Sequence, residues 1–287
     1  MRNAVLAPFA AAVRALLALT VVLGLAYPLA LVAVGRLPGL AQRADGSPVT
    51  DATGRVVGSD LLGQRFTTAD GTPLPQYLQP RPSVAGDGYD PTASGASNLG
   101  PQDVVDTADR PSLLSQVCAR SAAVGRLEGV DGSRPFCTPD GAGAVLAVWR
   151  ADGRTGAVTR VVSADQACPA TPFTPTWEGV TVTCRTPGEP LDGAVVVPVR
   201  GDAPADPVVP PDAVTASGSG LDPQISPAYA RLQAPRVARA RGVTVDVVLA
   251  AVERHTTGPA LGFLGRPAVD VLAVNLDLDR TAPAARG

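Results

Sequence analysis

The longest uncharged apolar run in the chain is Ala15–Val34, twenty residues bracketed by Arg14 and Arg36. At about 1.5 Å per residue, a helix of that length reaches roughly 30 Å, the thickness of a bilayer's hydrocarbon core. Tyr27 and Pro28 lie toward its far end, where an aromatic ring suits the membrane interface. The run exceeds the apolar core of about 7–15 residues found in cleaved signals, and no small-x-small site closes it. The pattern predicts a retained transmembrane helix.

After Arg36 the pattern changes. Residues 36–60 are polar and glycine-rich, with Val56 and Val57 placed for a short strand in a hairpin. From Tyr77 to Pro101 the chain reads as a long loop, punctuated by Pro80, Pro82, Pro91 and Pro101. Leu113, Leu114, Val117, Val124 and Leu127 recur at helical spacing and predict a helix over 111–126. The next segments are β-like: 143–150, 155–162, 179–184 and 194–199, with Asp152-Gly153 as a hairpin turn between the first two.

Ser226-Pro227 is a helix start, with a hydroxyl N-cap and a proline at the first helical position. This helix runs to Arg241 and stops at Gly242, and Pro235 predicts a kink or a split within it. Thr244 is placed to cap a helix reaching His255, with Val245, Val248, Leu249 and Val252 on one face. Residues 261–267 predict a turn and 269–274 a strand. Asn275–Arg280 either continues that strand or begins a terminal helix capped by Asn275.

Composition narrows the class. Glycine (30) and proline (29) are abundant, which favours loops and turns over long helices. With five Phe, four Tyr and two Trp, the core must be built from Val, Leu and Ala. The net charge of −2 gives no electrostatic case for nucleic acid. No lysine occurs; every basic side chain is arginine. The positive charges flanking the apolar run, Arg2 and Arg14 before it and Arg36 and Arg43 after, nearly balance. Four cysteines, Cys118, Cys137, Cys168 and Cys184, all follow the run, and an even count in a tethered domain favours disulfides in an oxidising space. That places the N-terminus in the cytoplasm and the rest outside. Four cysteines allow three pairings. The sequential one closes loops of about 20 and 16 residues, each worth about 3 kcal/mol on the chain-entropy estimate. A zinc site lacks support, with no CxxC and no histidine nearby. The fold class is therefore α+β: a single N-terminal transmembrane helix, then an extracytoplasmic α+β domain with a β-rich, disulfide-bearing insert.

Candidate chemistry is sparse. His255, the only histidine, could join Ser219 and Asp222 as a hydrolase triad, but the G-x-S-x-G elbow is absent. No phosphate-binding P-loop exists, and there is no lysine to reach a phosphate. Asp87, Asp90 and Asp222 could line an ion vestibule, yet potassium selectivity needs rings of carbonyls that one spanning helix cannot form. No catalytic or metal-ligating residue is expected. The alternative class is a membrane-tethered extracytoplasmic hydrolase or binding domain, which would need a polar constellation in a pocket.

Two long blocks carry a specific resemblance. The first is VTASGSGLDPQISP, Val214–Pro227, followed by PRVARAR, Pro235–Arg241. The second is Arg81-Pro-Ser with YDPTASGASNLGP, Tyr89–Pro101. Leu61–Phe66 and the closing residues 275–280 add to it, with Asp277 where an alanine is usual. In these segments the chain resembles the C subunit of the Kdp potassium-transporting P-type ATPase. The resemblance implies the topology given above. It also implies an accessory, non-catalytic subunit that stabilises a potassium import complex and acts as a catalytic chaperone, raising the ATP affinity of the hydrolytic subunit. The implied partners are a potassium pore subunit, the ATP-hydrolysing P-type subunit and a small membrane subunit. ATP is the implied nucleotide, and Ser217, Gly218, Ser219, Gly220 and Gln224 match the segment given that role. Read as a tight turn, the same residues lock the loop against its helix. The implied organisation is an anchor at 1–36, a first domain part at 37–128, an insert at 129–206 and a second part at 207–280. The insert departs from the family pattern.

Overall fold

The computed structural model describes residues 2–86, 89–90 and 92–284. The expectation for Asp87 lies outside the described residues. The chain divides into two units, Met1–Leu61 and Leu62–Gly287.

In the first unit, α1 (Arg2–Val21) passes through a π-helical stretch, Val22–Ala26, into α2 (Tyr27–Gly35). The apolar span extends over Ala7–Gly35, 29 residues, further than the charge-free run. Arg14 falls within the helix, its Nε donating to Ala10 O (3.3 Å). Residues 7–34 are exposed throughout. A short α3 (Ala41–Ala44) leads to the predicted hairpin, β1 (Pro48–Thr50) antiparallel to β2 (Val56–Ser59). Asp51 closes its turn by accepting from the Thr53 N–H (2.8 Å).

The second unit opens with a long irregular segment and then α4 (Leu113–Glu128). Ser112 caps α4 by accepting from the Ser115 N–H (3.0 Å), and Gly129 ends it in the left-handed conformation. Five strands follow: β3 (Val145–Asp152), β4 (Thr155–Ala167), β5 (Thr176–Trp177), β6 (Val180–Arg185) and β7 (Val195–Pro198). They form one sheet in the order β5-β6-β4-β3-β7, in which only the β4–β6 pair is parallel. The alternation along β3 sends Val145 and Ala147 to one face and Leu146 and Val148 to the other, and both faces are covered. Cys118–Cys137 ties α4 to the segment entering this sheet, and Cys168–Cys184 joins the end of β4 to β6, with Cα separations of 5.4 and 5.1 Å.

The chain then forms α5 (Pro211–Val214), β8 (Gln224–Ile225), α6 (Pro227–Arg241), α7 (Val245–Arg254), β9 (Thr256–Thr257), β10 (Ala268–Asp270) and α8 (Val271–Thr281). β8, β10 and β9 make a small antiparallel sheet. The main core is Val- and Ala-rich and draws on both sides of the β-rich insert: Leu78 and Val124 pack with Ala230, Ala234, Val237, Val248, Val269, Val274 and Leu278.

Three sequence expectations are corrected. Helix α6 continues through Pro235 without the expected split. Pro235 and Arg231, whose carbonyl loses its donor, both lie on the exposed face, so water can take that bond. The strand predicted over 269–274 stops at Asp270, whose carboxylate accepts from the Ala273 N–H (2.8 Å) and caps α8. Asn275 is buried inside that helix rather than capping it.

Candidate functional site: the signature loop and its strap

The loop between α5 and α6 carries the first signature block and is sewn to the second. Ser217 N–H donates to Pro82 O (2.7 Å), Val84 N–H to Ser217 O (2.9 Å) and Gly95 N–H to Gly218 O (2.8 Å). Arg81 adds its guanidinium, Nη2 and Nε donating to Thr215 O (2.9 and 3.2 Å) with Nη1 3.5 Å from the Asp222 carboxylate. Approach at Gly218 is so close that a Cβ would lie 2.8 Å from the Ala96 Cβ. Gly220 takes φ +69°, and its N–H donates to Ser217 Oγ (3.1 Å). Ser219 Oγ accepts from the Leu221 N–H (3.2 Å), so both serine hydroxyls serve the turn. Gln224 lies exposed on β8. The Tyr89 hydroxyl donates to Arg81 O, and burial pushes its ionisation well above the usual tyrosine range.

Upstream of this latch runs a strap, Pro75–Pro82, held by side chains of α6 and α8. Asn275 Oδ1 accepts from the Leu78 N–H (2.8 Å) while its Nδ2 donates to Leu78 O (3.0 Å). Gln233 does the same for Gln79, at 2.7 and 3.0 Å. Each amide replaces the neighbouring strand that the strap lacks. Arg236 donates to Pro75 O (2.7 Å) and Tyr77 O (3.0 Å), and its Nε is 3.0 Å from the buried Glu128 carboxylate. Burial outweighs the pull of Arg236 and holds Glu128 above the ordinary glutamate range. Arg241 closes the strap at Gln76 O (2.7 Å) and reaches Asp279 (2.9 Å). Arg239 of the same motif is exposed.

The triad is not assembled: His255 Nε2 faces Asp277 (3.3 Å), and neither Ser219 nor Asp222 reaches it. Asp277 also binds Arg254 (2.7 Å). Asp90 serves a local turn, accepting from Thr92 N–H and Oγ1 (2.8 and 2.6 Å). A cleft of about 840 Å³ lies beside the Cys118–Cys137 bond, with Arg126, Asp131, Ser133, Phe173 and Asp202 on its walls. Asp131 there is already engaged by Ser133 N–H and Oγ, both at 2.8 Å. Another cleft, of about 550 Å³, touches Asp106, Asp165 and Arg185. Burial pushes the Asp165 carboxyl up to about 7, against donation from the Asp106 N–H (2.9 Å).

Comparison with known proteins decides the family. The model of "K+-transporting ATPase, c chain" matches residues 9–129 and 197–280, covering the strap, both signature blocks and α6 to α8. The chain belongs to the KdpC family. Among its curated relatives, the potassium-transporting ATPase KdpC subunit of Kineococcus radiotolerans is 40% identical over 93% of this chain and 91% of its own. That of Caulobacter sp. is 36% identical over 92% and 89%, and that of Mycobacterium tuberculosis 35% over 94% and 96%. The KdpC family model leaves out most of the sheet between its two blocks, whereas these alignments run across most of the chain, so the β-rich segment is no peculiarity of this protein.

Sequence reasoning found the signature loop and its arginines, misread Asn275 as a helix cap, and missed Gln233, Glu128 and Asp165. Their signal was weak: single polar residues interrupting apolar helical faces, or an acid within a strand. Such interruptions mark buried polar groups that need partners.

Proposed function

We propose that the chain is a non-catalytic, single-pass accessory subunit of a potassium-importing ATPase, with its N-terminus cytoplasmic and the unit from Leu62 onward outside. It stabilises the assembly of the pore subunit, the ATP-hydrolysing P-type subunit and a small membrane subunit. It acts as a catalytic chaperone by contact, raising the ATP affinity of the hydrolysing subunit without holding the nucleotide itself. The observation that carries this reading is the apolar helix over Ala7–Gly35, exposed at every residue from 7 to 34. Such an apolar surface is at home in lipid. The two disulfides support an oxidising compartment for the second unit. The donors of Ser217 and Gly220 are spent on Pro82 and on the loop itself, which favours a latch over a phosphate cradle at Ser217, Gly218, Ser219, Gly220 and Gln224.

The complex purified with and without this subunit tests the reading. Its removal is expected to raise the KM for ATP, while a photoactivatable ATP analogue labels the hydrolysing subunit alone. Labelling of the 214–227 segment would overturn the contact mechanism. A C-terminal phosphatase fusion is expected to be active, and a cytoplasmic reporter at the same position silent; the reverse would overturn the orientation.

A further inference from the structure

Tyr27 follows the π-helical stretch and donates its N–H to Val22 O, five residues back. In an unbroken α-helix that donor would go to Leu23 O. The donor that π geometry would send to Leu23 O comes from position 28, where Pro28 has no N–H. The Leu23 carbonyl is thus left without a ladder donor. Among the described residues, the one side chain that donates within the span is Arg14, and it serves Ala10 O. Leu23 lies near the middle of Ala7–Gly35. At that depth no water is available, and an unpaired carbonyl in hydrocarbon costs several kcal/mol. Gly24 is adjacent, and a Cβ built there meets only Thr20 Cγ2, at 3.9 Å. An acceptor and an open notch therefore coincide.

We propose that this notch seats a transmembrane helix of another subunit, which brings a side-chain hydroxyl, amide or indole N–H to the Leu23 carbonyl at mid-depth. The proposal rests on the subunit reading above. Lipid tails offer no donor. A second copy of this chain, paired in parallel, sets Leu23 against Leu23, with its nearest donor, the Thr20 hydroxyl on the Gly24 face, about one turn away in depth; it is the rival occupant that the self-crosslink below tests. A small residue at the contact is what close helix approach in a membrane requires. Pro28 is tolerated because the neighbour, rather than the chain itself, completes the bond.

The test uses the full-length chain in its complex, extracted in mild detergent. Pro28→Ala restores an N–H, so the ladder can close on itself. Gly24→Leu fills the notch. Each is expected to lower the fraction of the chain retained with the complex at least fivefold, while membrane insertion and both disulfides stay intact. Val34→Leu, near the end of the span, is expected to leave retention unchanged. Wild-type retention of either Pro28→Ala or Gly24→Leu overturns the proposal. So does an efficient self-crosslink through Gly24→Cys, the one free thiol in that variant. If the unmutated chain itself comes down alone, the subunit reading fails instead.

Discussion

Asn275 has both of its amide atoms committed to the peptide of Leu78, 197 positions away. Replacing it with leucine preserves size but strands a buried N–H and a buried carbonyl. The expected loss is about 2–4 kcal/mol, read from the urea midpoint; an unchanged midpoint would show the strap to be dispensable. Asp165 makes the opposite case, a carboxyl whose ionisation burial opposes. Its folded pKa, about 7, lies above the unfolded carboxylate value near 3.8. Its contribution is complete below pH ~4 and is lost as pH rises toward 7 and beyond. Asp165→Asn keeps an acceptor for the Asp106 N–H and cannot ionise. At pH 8 the variant is expected to be more stable than the wild type by about 2–4 kcal/mol, with little difference near pH 4. Equal slopes of stability against pH for the two proteins would refute it. Neither role was legible in the sequence, since each residue acts through partners distant along the chain.

Regular elements were far more legible. Helices α4 and α6 follow from their flanking Ser and Gly residues, and α4 and α7 from apolar spacing, because those signals are local; Thr244, expected to cap α7, makes no side-chain cap bond. The strands of the insert follow from alternation, but the parallel β4–β6 pair does not, because pairing depends on where the chain returns. The strand-to-helix change at Asp270 was misread because Val271, Leu272 and Val274 suit either element; the cap made the difference. At this scale the Cys168–Cys184 bond is the prediction to make. It closes a loop with a sequence separation of 16 at the parallel pair. Replacing both cysteines with serine is expected to cost about 3 kcal/mol. Thermal melting should register this as a lower Tm, with the Cys118–Cys137 bond still formed. The turn at 261–265 belongs here too: Leu261 and Phe263 are 82% and 74% exposed, so Phe263→Ser is expected to change stability by less than about 0.5 kcal/mol.

For the molecule as a whole, the main core is closed by residues from both sides of the insert, while the five-stranded sheet has apolar clusters of its own. The chain leaves and re-enters at one place, where Phe136 N–H donates to Arg200 O (2.9 Å). Excising residues 138–198 and bridging the gap with a short Gly-Ser linker is expected to leave a cooperatively folding second unit. Its urea m-value would be smaller in proportion to the lost surface. It would be less stable, because Val104, Val105 and Leu114 lose their cover. Loss of all cooperative unfolding would show that the sheet is integral rather than added. The apolar helix, long enough to cross a membrane, and the family were both legible at this scale, the one from length and charge, the other from two long blocks.

The arginines settle one practical matter. Arg120 holds Val214 O, Arg134 Val209 O and Arg185 Asp106 O, as Arg81, Arg236 and Arg241 hold the strap and latch. A forked, planar cation grips two acceptors at fixed angles, which a primary amine on a flexible stem does not reproduce. Lysine scanning, usually the mild option at a basic residue, would here loosen the loops one by one. Amine-directed tags and crosslinkers would find only the N-terminal amino group to react with.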